Sequence, residues 1–446
     1  MEAGGPSKKL SLLDATLLVM GGIIGVGIFF NPHTIAERVP VTWLYLALWV
    51  FGGVVAIAAG FTFAELGAAF PKAGGWFVYL RAAFGPFSAF LFAWVVLFTQ
   101  SPSAIASIAK FCAGRLHILF PALVGGKDSA SETLAAALLI LTVTAVALSG
   151  VKRAALVQNV CMFTKLAVIA ALILGGLALI GDEAPAEVSA APVAALPAFT
   201  WSGLVLALLP LFYTLGGWQL AGYLAPELKD PVRTLPRAIV LGVLGVVAVY
   251  VTINLAYLAV LGIDGLVADK DFAQTLSRRA FGATGEKILA AGMTVSAFGI
   301  CAVNIIATPW LYVAIAKDGL FFRAVGEVSP RTGVPVRALL IQAVLTCVYL
   351  LSSLKNLVDS CVFVEWIFHF LAALALLRLR RLLPDLPRPV KTPLYPLAPL
   401  LYLVTAAVIV LGTLYTASPF VKYSGTAVVA AGALVYLPWK RFFRAS

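Results

Sequence analysis

Residues 18–36 read LVMGGIIGVGIFFNPHTIA, with Gly21, Gly22, Gly25 and Gly27 at the centre of an apolar run. A helix crossing a bilayer core about 30 Å thick needs about 20 apolar residues, and this run supplies them. Each glycine nevertheless weakens a helix by roughly 1 kcal/mol relative to alanine. A second stretch has the same character. Residues 208–227, LLPLFYTLGGWQLAGYLAPE, carry Gly216, Gly217 and Gly222 near the centre, with Pro210 ahead of them. Taken singly, either run also reads as close helix packing, since Gly21 and Gly25 form a small-xxx-small pair. A dinucleotide-binding loop is excluded, because the glycines lie inside an apolar run with no strand–helix–strand context.

The composition says what surrounds these runs. Of 446 residues, 61% are hydrophobic and 12% are charged. An ordinary soluble domain is roughly 45–50% apolar and about 25% charged. Disorder, a nucleic-acid-binding module and a water-soluble enzyme are therefore excluded, and the solvent for most of the chain is lipid. The expected class is an all-α polytopic membrane protein. The net charge of +12 reads as basic cytoplasmic loops and not as a nucleic-acid footprint. Cys112, Cys161, Cys301, Cys347 and Cys361 have no metal-type spacing and read as small core hydrophobes. No metal and no cofactor is expected. The N-terminal apolar segment lacks a small-residue cleavage site after it, so it is expected to remain as a membrane span.

Twelve spans are read, at 14–38, 41–69, 84–111, 133–150, 154–181, 202–224, 237–262, 286–316, 336–354, 357–377, 396–415 and 424–443. With the N-terminus inside, the inner segments hold 21 of the 32 Lys and Arg, the outer loops hold 10, and Lys165 alone is left within a span. That bias places both termini in the cytoplasm. The segments then divide into a cytoplasmic N-terminus (1–13), a first five-helix repeat (14–181), a second (202–377), spans 11 and 12 (396–443) and a cytoplasmic C-terminus (444–446). The outer loop 263–285 is too polar to span and is expected to form a short amphipathic helix over the outer mouth.

In that count the glycine-broken runs are spans 1 and 6. These are equivalent positions if spans 1–5 and 6–10 are two repeats, the second of which an odd number of spans per repeat makes inverted. Interrupted spans in corresponding positions point to a transporter binding site near the midplane. An unwound stretch exposes N–H groups at the start of one half-helix, which suit a carboxylate, and C=O groups at the end of the other, which suit an ammonium. A zwitterionic α-amino acid has both. Irregular backbone is tolerated at membrane depth only where it lines a cavity or is buried in protein.

Ionisable residues left in the spans are few. Lys165, in NVCMFTKLAVIAAL, sits 11 residues into span 5, roughly 16 Å along the helix and near the midplane. A lysine there costs at least about 2.5–3.5 kcal/mol, so it needs a partner or a cavity. It either bonds the freed carbonyls of span 1, in place of a bound sodium ion, or carries a proton. Glu365, beside Trp366 in span 10, is a second candidate, read against a glutamate that stabilises helix packing. Glu65 reads as structural and Asp359 as solvated. His33, His117 and His369 are scattered, and no catalytic cluster supports a membrane enzyme. No pore-lining ring or sensor domain supports a channel or receptor.

Three stretches carry a family resemblance. GGIIGVGIF (21–29), FAELGAAFPKAGGWFVYLRAAFG (63–85) and TPWLYVAIAKDGLFFRAVGEVSPRTGVPV (308–336) resemble, in order and spacing, motifs of the amino acid–polyamine–organocation (APC) superfamily of permeases. LGGWQ after Tyr213, the FTKLA lysine and the Glu365–Trp366 pair look like the L-type branch and its bacterial relatives. The resemblance implies a five-plus-five inverted repeat, the LeuT-like fold, with spans 1 and 6 unwound and two extra C-terminal spans. It implies that the N–H groups of Val26 and Gly27 hold the substrate carboxylate. The carbonyls of Ile23, Tyr213 and Gly216 would hold the amine, with Gly25 and Gly217 at the breaks and Tyr213 as an aromatic gate. Lys165 matches a lysine that replaces a sodium site, which implies sodium independence. The expectation is a neutral amino acid exchanger of the cell membrane working by alternating access, or else a proton-coupled symporter. Val26, Gln219 and Glu365 depart from the residues many members carry there. The outer loop between spans 3 and 4 has no central cysteine, so no disulfide-linked heavy subunit is expected.

Overall fold

The computed structural model describes residues 10–71, 74–125, 129–179, 198–220, 228–352, 354–416 and 419–442. Gly222 lies outside them, as does the side chain of Asp359. Among the described residues the chain is helical throughout, with one isolated parallel bridge between Leu10 and Leu228. Eight helices are long and apolar enough to cross a membrane, and Leu12–Ile23, Trp201–Leu215, Val336–Tyr349 and Gly425–Trp439 are shorter apolar helices.

Sixteen α-helical segments are found among the described residues. They are α1 (Leu12–Ile23), α2 (Asn31–Arg38), α3 (Thr42–Ala69), α4 (Trp76–Phe84), α5 (Pro86–Val95) and α6 (Ser101–Leu119). Then come α7 (Ala130–Leu148), α8 (Val151–Ala178), α9 (Trp201–Leu215), α10 (Pro231–Ala268) and α11 (Phe272–Ala307). The chain continues with α12 (Pro309–Lys317), α13 (Val336–Tyr349), α14 (Leu354–Leu382), α15 (Leu397–Thr416) and α16 (Pro419–Phe442). A π-helical turn, Val96–Gln100, joins α5 to α6 within one continuous rod.

Two of the short helices are short because the sequence breaks them. The 12 residues of α1 rise about 18 Å, too little for a bilayer core about 30 Å thick. A capping box of Ser11 and Asp14 starts α1, and the other oxygen of Asp14 accepts from Asn159 on α8 at 2.7 Å. The helix stops at Ile24, whose ψ of 91° is extended. A 3-10 turn at Gly27–Phe29 follows, and α2 restarts with Pro32 in its first turn. Thr200 caps the start of α9 through the Gly203 N–H at 3.0 Å, and α9 ends at Leu215 before the Gly216–Gly217 pair.

The two breaks face each other. Gly217 has a φ of +119°, in the left-handed region that favours glycine, and a Cβ there would sit 2.2 Å from the carbonyl oxygen of Gly22. The second half of the first broken run is tied to α9 around Pro210. That proline has no N–H to give the Leu206 carbonyl, and Arg38 Nη1 donates to it instead at 2.5 Å. The Pro210 carbonyl accepts from Thr214 Oγ1 at 2.7 Å and from Asn31 Nδ2 at 3.2 Å.

Around this pair, α3 and α15 pack on one side and α8, α11 and α10 on another, while residues of α6 and α14 line the gap between the breaks. The outer loop differs from the expectation of one short helix. Helical turns continue past a kink at Gly262 (φ 66°) to Ala268, and Phe272 starts another helix that kinks at Gly282 (φ 66°). Leu266, Phe272 and Leu276 are buried, so these two pieces fold inward on apolar contacts.

Candidate functional site

The gap between the broken helices is a cavity of about 80 Å³, room for several water-sized groups. Ile23, Gly25, Val26 and Gly27 line it from the first break, and Tyr213, Gly216 and Gly217 from the second. Glu365 and Trp366 line it from α14. All nine binding candidates read from the sequence therefore meet at one place. Lys165 stands behind the wall.

The backbone at the breaks is left open by the chain's own geometry. Within the 3-10 turn, Phe29 N–H pairs with the Val26 carbonyl at 3.0 Å and Phe30 N–H with Gly27 at 3.2 Å. The N–H groups of Val26 and Gly27 themselves have no acceptor among the described residues. They point out of the start of a turn, where a helix carries partial positive charge. At the second break the Gly217 N–H is taken by Gln219 Oε1 at 3.2 Å. The Tyr213 carbonyl, one turn back, thereby loses the donor that a continuing helix would supply. Paired lone N–H and C=O groups across a water-sized gap form a cradle for an anion and a cation held a few bonds apart.

Lys165 is 1% exposed, and its Nζ donates to the carbonyl of Ile24, the residue at which α1 unwinds. The amine thus sits at the unwound end of α1. Next to it, Tyr250 from α10 donates its hydroxyl to the Ile23 carbonyl at 3.1 Å. Both side chains hold the unwound segment, and neither lines the cavity.

The α14 wall is polar. Glu365 Oε1 accepts from Gln219 Nε2 at 3.0 Å and from Gln100 Nε2 at 3.4 Å. His369 Nε2 lies 3.9 Å from the same oxygen, and His369 Nδ1 shares a hydrogen bond with the hydroxyl of Tyr402 on α15. The His369 ring is buried among Trp76, Trp218 and Trp366. Sequence reading passed over Gln100, Asn304 and His369, all of which line the cavity. The available signal for the first two was a polar amide inside an apolar run. For His369 it was the four-residue spacing from Glu365, which puts both on one helix face.

Glu65 sits elsewhere, near the C-terminal end of α3, bound by Arg380 at 2.6 and 2.8 Å, by Arg388 at 3.4 Å and by the Thr392 N–H at 2.6 Å. It ties α3 to the end of α14 and has no part in the cavity.

Comparison with known proteins agrees with this architecture. A protein family described as amino acid permease matches residues 10–436. The chain is 30% identical over 419 residues to the serine/threonine exchanger SteT of Bacillus subtilis, covering 93% of each. It is 30% identical over 436 residues to the human large neutral amino acids transporter small subunit 2, covering 96% of this chain and 80% of that one. It is 29% identical over 400 residues to the mouse b(0,+)-type amino acid transporter 1, covering 87% and 79%. The chain belongs to the amino acid permease family, and it is a multi-pass membrane transporter of amino acids rather than an enzyme.

Proposed function

We propose that the protein is a sodium-independent exchanger of neutral amino acids in the cell membrane. Its twelve crossings comprise the eight long helices and the four shorter apolar ones, arranged as two inverted five-span repeats plus spans 11 and 12, with both termini cytoplasmic. The observation that carries the reading is the cavity at the facing breaks, with N–H groups on Val26 and Gly27 that have no acceptor among the described residues and helix-end carbonyls opposite. The substrate carboxylate docks on the former, and its ammonium on the carbonyls of Ile23, Tyr213 and Gly216. Tyr213 closes over the bound molecule. The ammonium of Lys165 on the Ile24 carbonyl takes the place of a coupling cation, so sodium is not required. Among the relatives, one is named for serine and threonine and another for large neutral amino acids, which supports a neutral substrate.

Alternating access moves the broken helices against the remaining spans, so substrate on either side drives the exchange. Counterflow in proteoliposomes tests this. Labelled amino acid enters vesicles preloaded with unlabelled amino acid at the same rate in choline and in sodium buffer, and empty vesicles take up little. Gly25→Leu abolishes the signal with the protein still inserted, because Gly25 lines the cavity and a leucine side chain there occupies the space the substrate needs. Normal exchange in that variant removes the cavity from the mechanism.

One observation favours a second reading, a proton symporter. Glu365 places a carboxylate in the cavity beside His369. An inward proton gradient that drives accumulation into empty vesicles selects that reading.

A further inference from the structure

The segment between α14 and α15, residues 383–396, reads LPDLPRPVKTPLYP and is folded around one arginine. Arg388 donates from Nη1 to the carbonyls of Pro384 and Leu386 at 3.2 and 3.0 Å, and from Nη2 to those of Leu379 and Leu383 at 3.0 and 2.8 Å. The Thr392 N–H is held by Glu65, and the Thr392 hydroxyl donates to the Phe61 carbonyl of α3 at 3.2 Å. The Arg380 guanidinium lies 3.7 Å from the centre of the Tyr395 ring. The segment is therefore pinned from within, and its outward face is set by its own backbone. That face is apolar. Leu394 is 77% exposed and Leu397 68%, with Leu382, Leu383 and Tyr395 exposed as well. Arg378, Arg381 and Lys391 are exposed beside them, and none of the three pairs with a carboxylate among the described residues. Arg381 follows Arg380 and Lys391 precedes Thr392, and both of those neighbours bind Glu65, so the two free cations are fixed close together. Arg378 is three residues before Arg381, on the same face of α14. Asp385 is the one acid between Leu382 and Leu397.

We infer that this segment is a docking site for an anionic phospholipid, with the phosphate among Arg378, Arg381 and Lys391 and an acyl chain against Leu394 and Leu397. The inference rests on the proposed orientation, which puts residues 383–396 at the cytoplasmic face. Leucines held outward by a pinned backbone call for an apolar cover, and three unpaired cations beside them call for negative charge. The cytoplasmic leaflet supplies both, in acyl chains and in anionic headgroups. Apolar residues flanked by Lys and Arg are the pattern of elements that lie in a bilayer interface. The long stems of Arg and Lys lie along apolar surface while their charged ends reach the phosphate, and guanidinium pairs with phosphate through two parallel bonds. Each basic residue close to an anionic surface is worth about fivefold in affinity. A lipid seated here also braces the fold, because the segment grips Glu65 of α3 and continues directly from α14.

The test titrates the purified full-length protein in detergent with phosphatidylglycerol or with phosphatidylcholine of the same acyl chains, and follows Tm. Phosphatidylglycerol raises Tm at a mole fraction at least about tenfold lower than phosphatidylcholine does, and the preference shrinks as salt is raised. Lys391→Gln, a change at one exposed side chain, weakens the response to phosphatidylglycerol about fivefold. Arg378→Gln, Arg381→Gln and Lys391→Gln together abolish the preference; if that protein does not fold, Lys391→Gln and Arg381→Gln singly decide. Equal responses to the two lipids, or a preference that these substitutions leave unmoved, overturn the site. So does a full rise in Tm with soluble glycerol 3-phosphate, which marks an anion site with no lipid tail. The readout needs no turnover, so it separates from the exchanger reading. A protein that prefers phosphatidylglycerol but gives no counterflow keeps the lipid site and loses that reading, and one that exchanges with no lipid preference does the reverse.

Discussion

Glu65 and Lys165 are both buried, each 1% exposed or less, and both belong to a chain with few charges in its apolar runs. Their surroundings differ. Glu65 is saturated, with two guanidinium groups and a backbone N–H on its two oxygens. Lys165 has one hydrogen bond among the described residues, to the carbonyl of Ile24, for an ammonium with three donors. Glu365 resembles Lys165 in this respect, with its donors gathered on one oxygen. A buried charge whose valence is filled by its own protein is a fastener. One that is left short is available to a ligand or to a conformational change.

This contrast can be broken by substitution. Glu65→Ala carries the largest expected effect. Removing one partner of a buried ion pair costs about 3–5 kcal/mol, seen as a lower Tm, while the KM of the surviving protein stays unchanged. A raised KM with an unchanged Tm reverses the assignment. Lys165→Ala has the opposite signature, a fall of about 100-fold in exchange rate with the protein still inserted, because the broken strand at Ile24 is no longer held in place. Exchange within a few-fold of the unsubstituted protein makes Lys165 another fastener. Tyr250→Phe removes one hydrogen bond to the Ile23 carbonyl, worth about 1 kcal/mol, and raises KM about fivefold. Asp359→Asn, at the outer end of its span by sequence, changes exchange least, and the comparison sharpens if it stays within about twofold, as surface changes usually do.

Much of this was legible in the sequence, and for identifiable reasons. The glycines at 21–27 and 216–217 marked the breaks because backbone entropy is a local property that needs no knowledge of the fold. Lys165 stood out because a charge in an apolar run is a local anomaly as well. The cluster of Gln100, Gln219 and Glu365 in the cavity wall was not legible as a cluster, although Gln219 and Glu365 each stood out singly. Gln100 and Gln219 lie far apart in the chain, and their convergence on one carboxylate oxygen depends on packing between elements and on the register change at Val96–Gln100. The π-helical turn has no clear composition signal. The role of Arg38 is of the same kind. Its guanidinium fills a carbonyl orphaned by Pro210 on another helix, a pairing that appears only once the two broken runs are set side by side. The outer loop was misread as a single helix because two glycines, Gly262 and Gly282, bend longer helices that the polar composition concealed.

The account rests on backbone recognition of both α-groups by the facing breaks, and a set of modified substrates tests that most directly. A transported amino acid, its primary amide and its N-acetyl form are each loaded into proteoliposomes, and the entry of labelled free amino acid is followed. The free amino acid alone is predicted to drive counterflow, since the amide lacks the carboxylate for Val26 and Gly27 and the N-acetyl form lacks the ammonium for the carbonyls of Ile23, Tyr213 and Gly216. Counterflow driven equally well by either derivative would contradict the account.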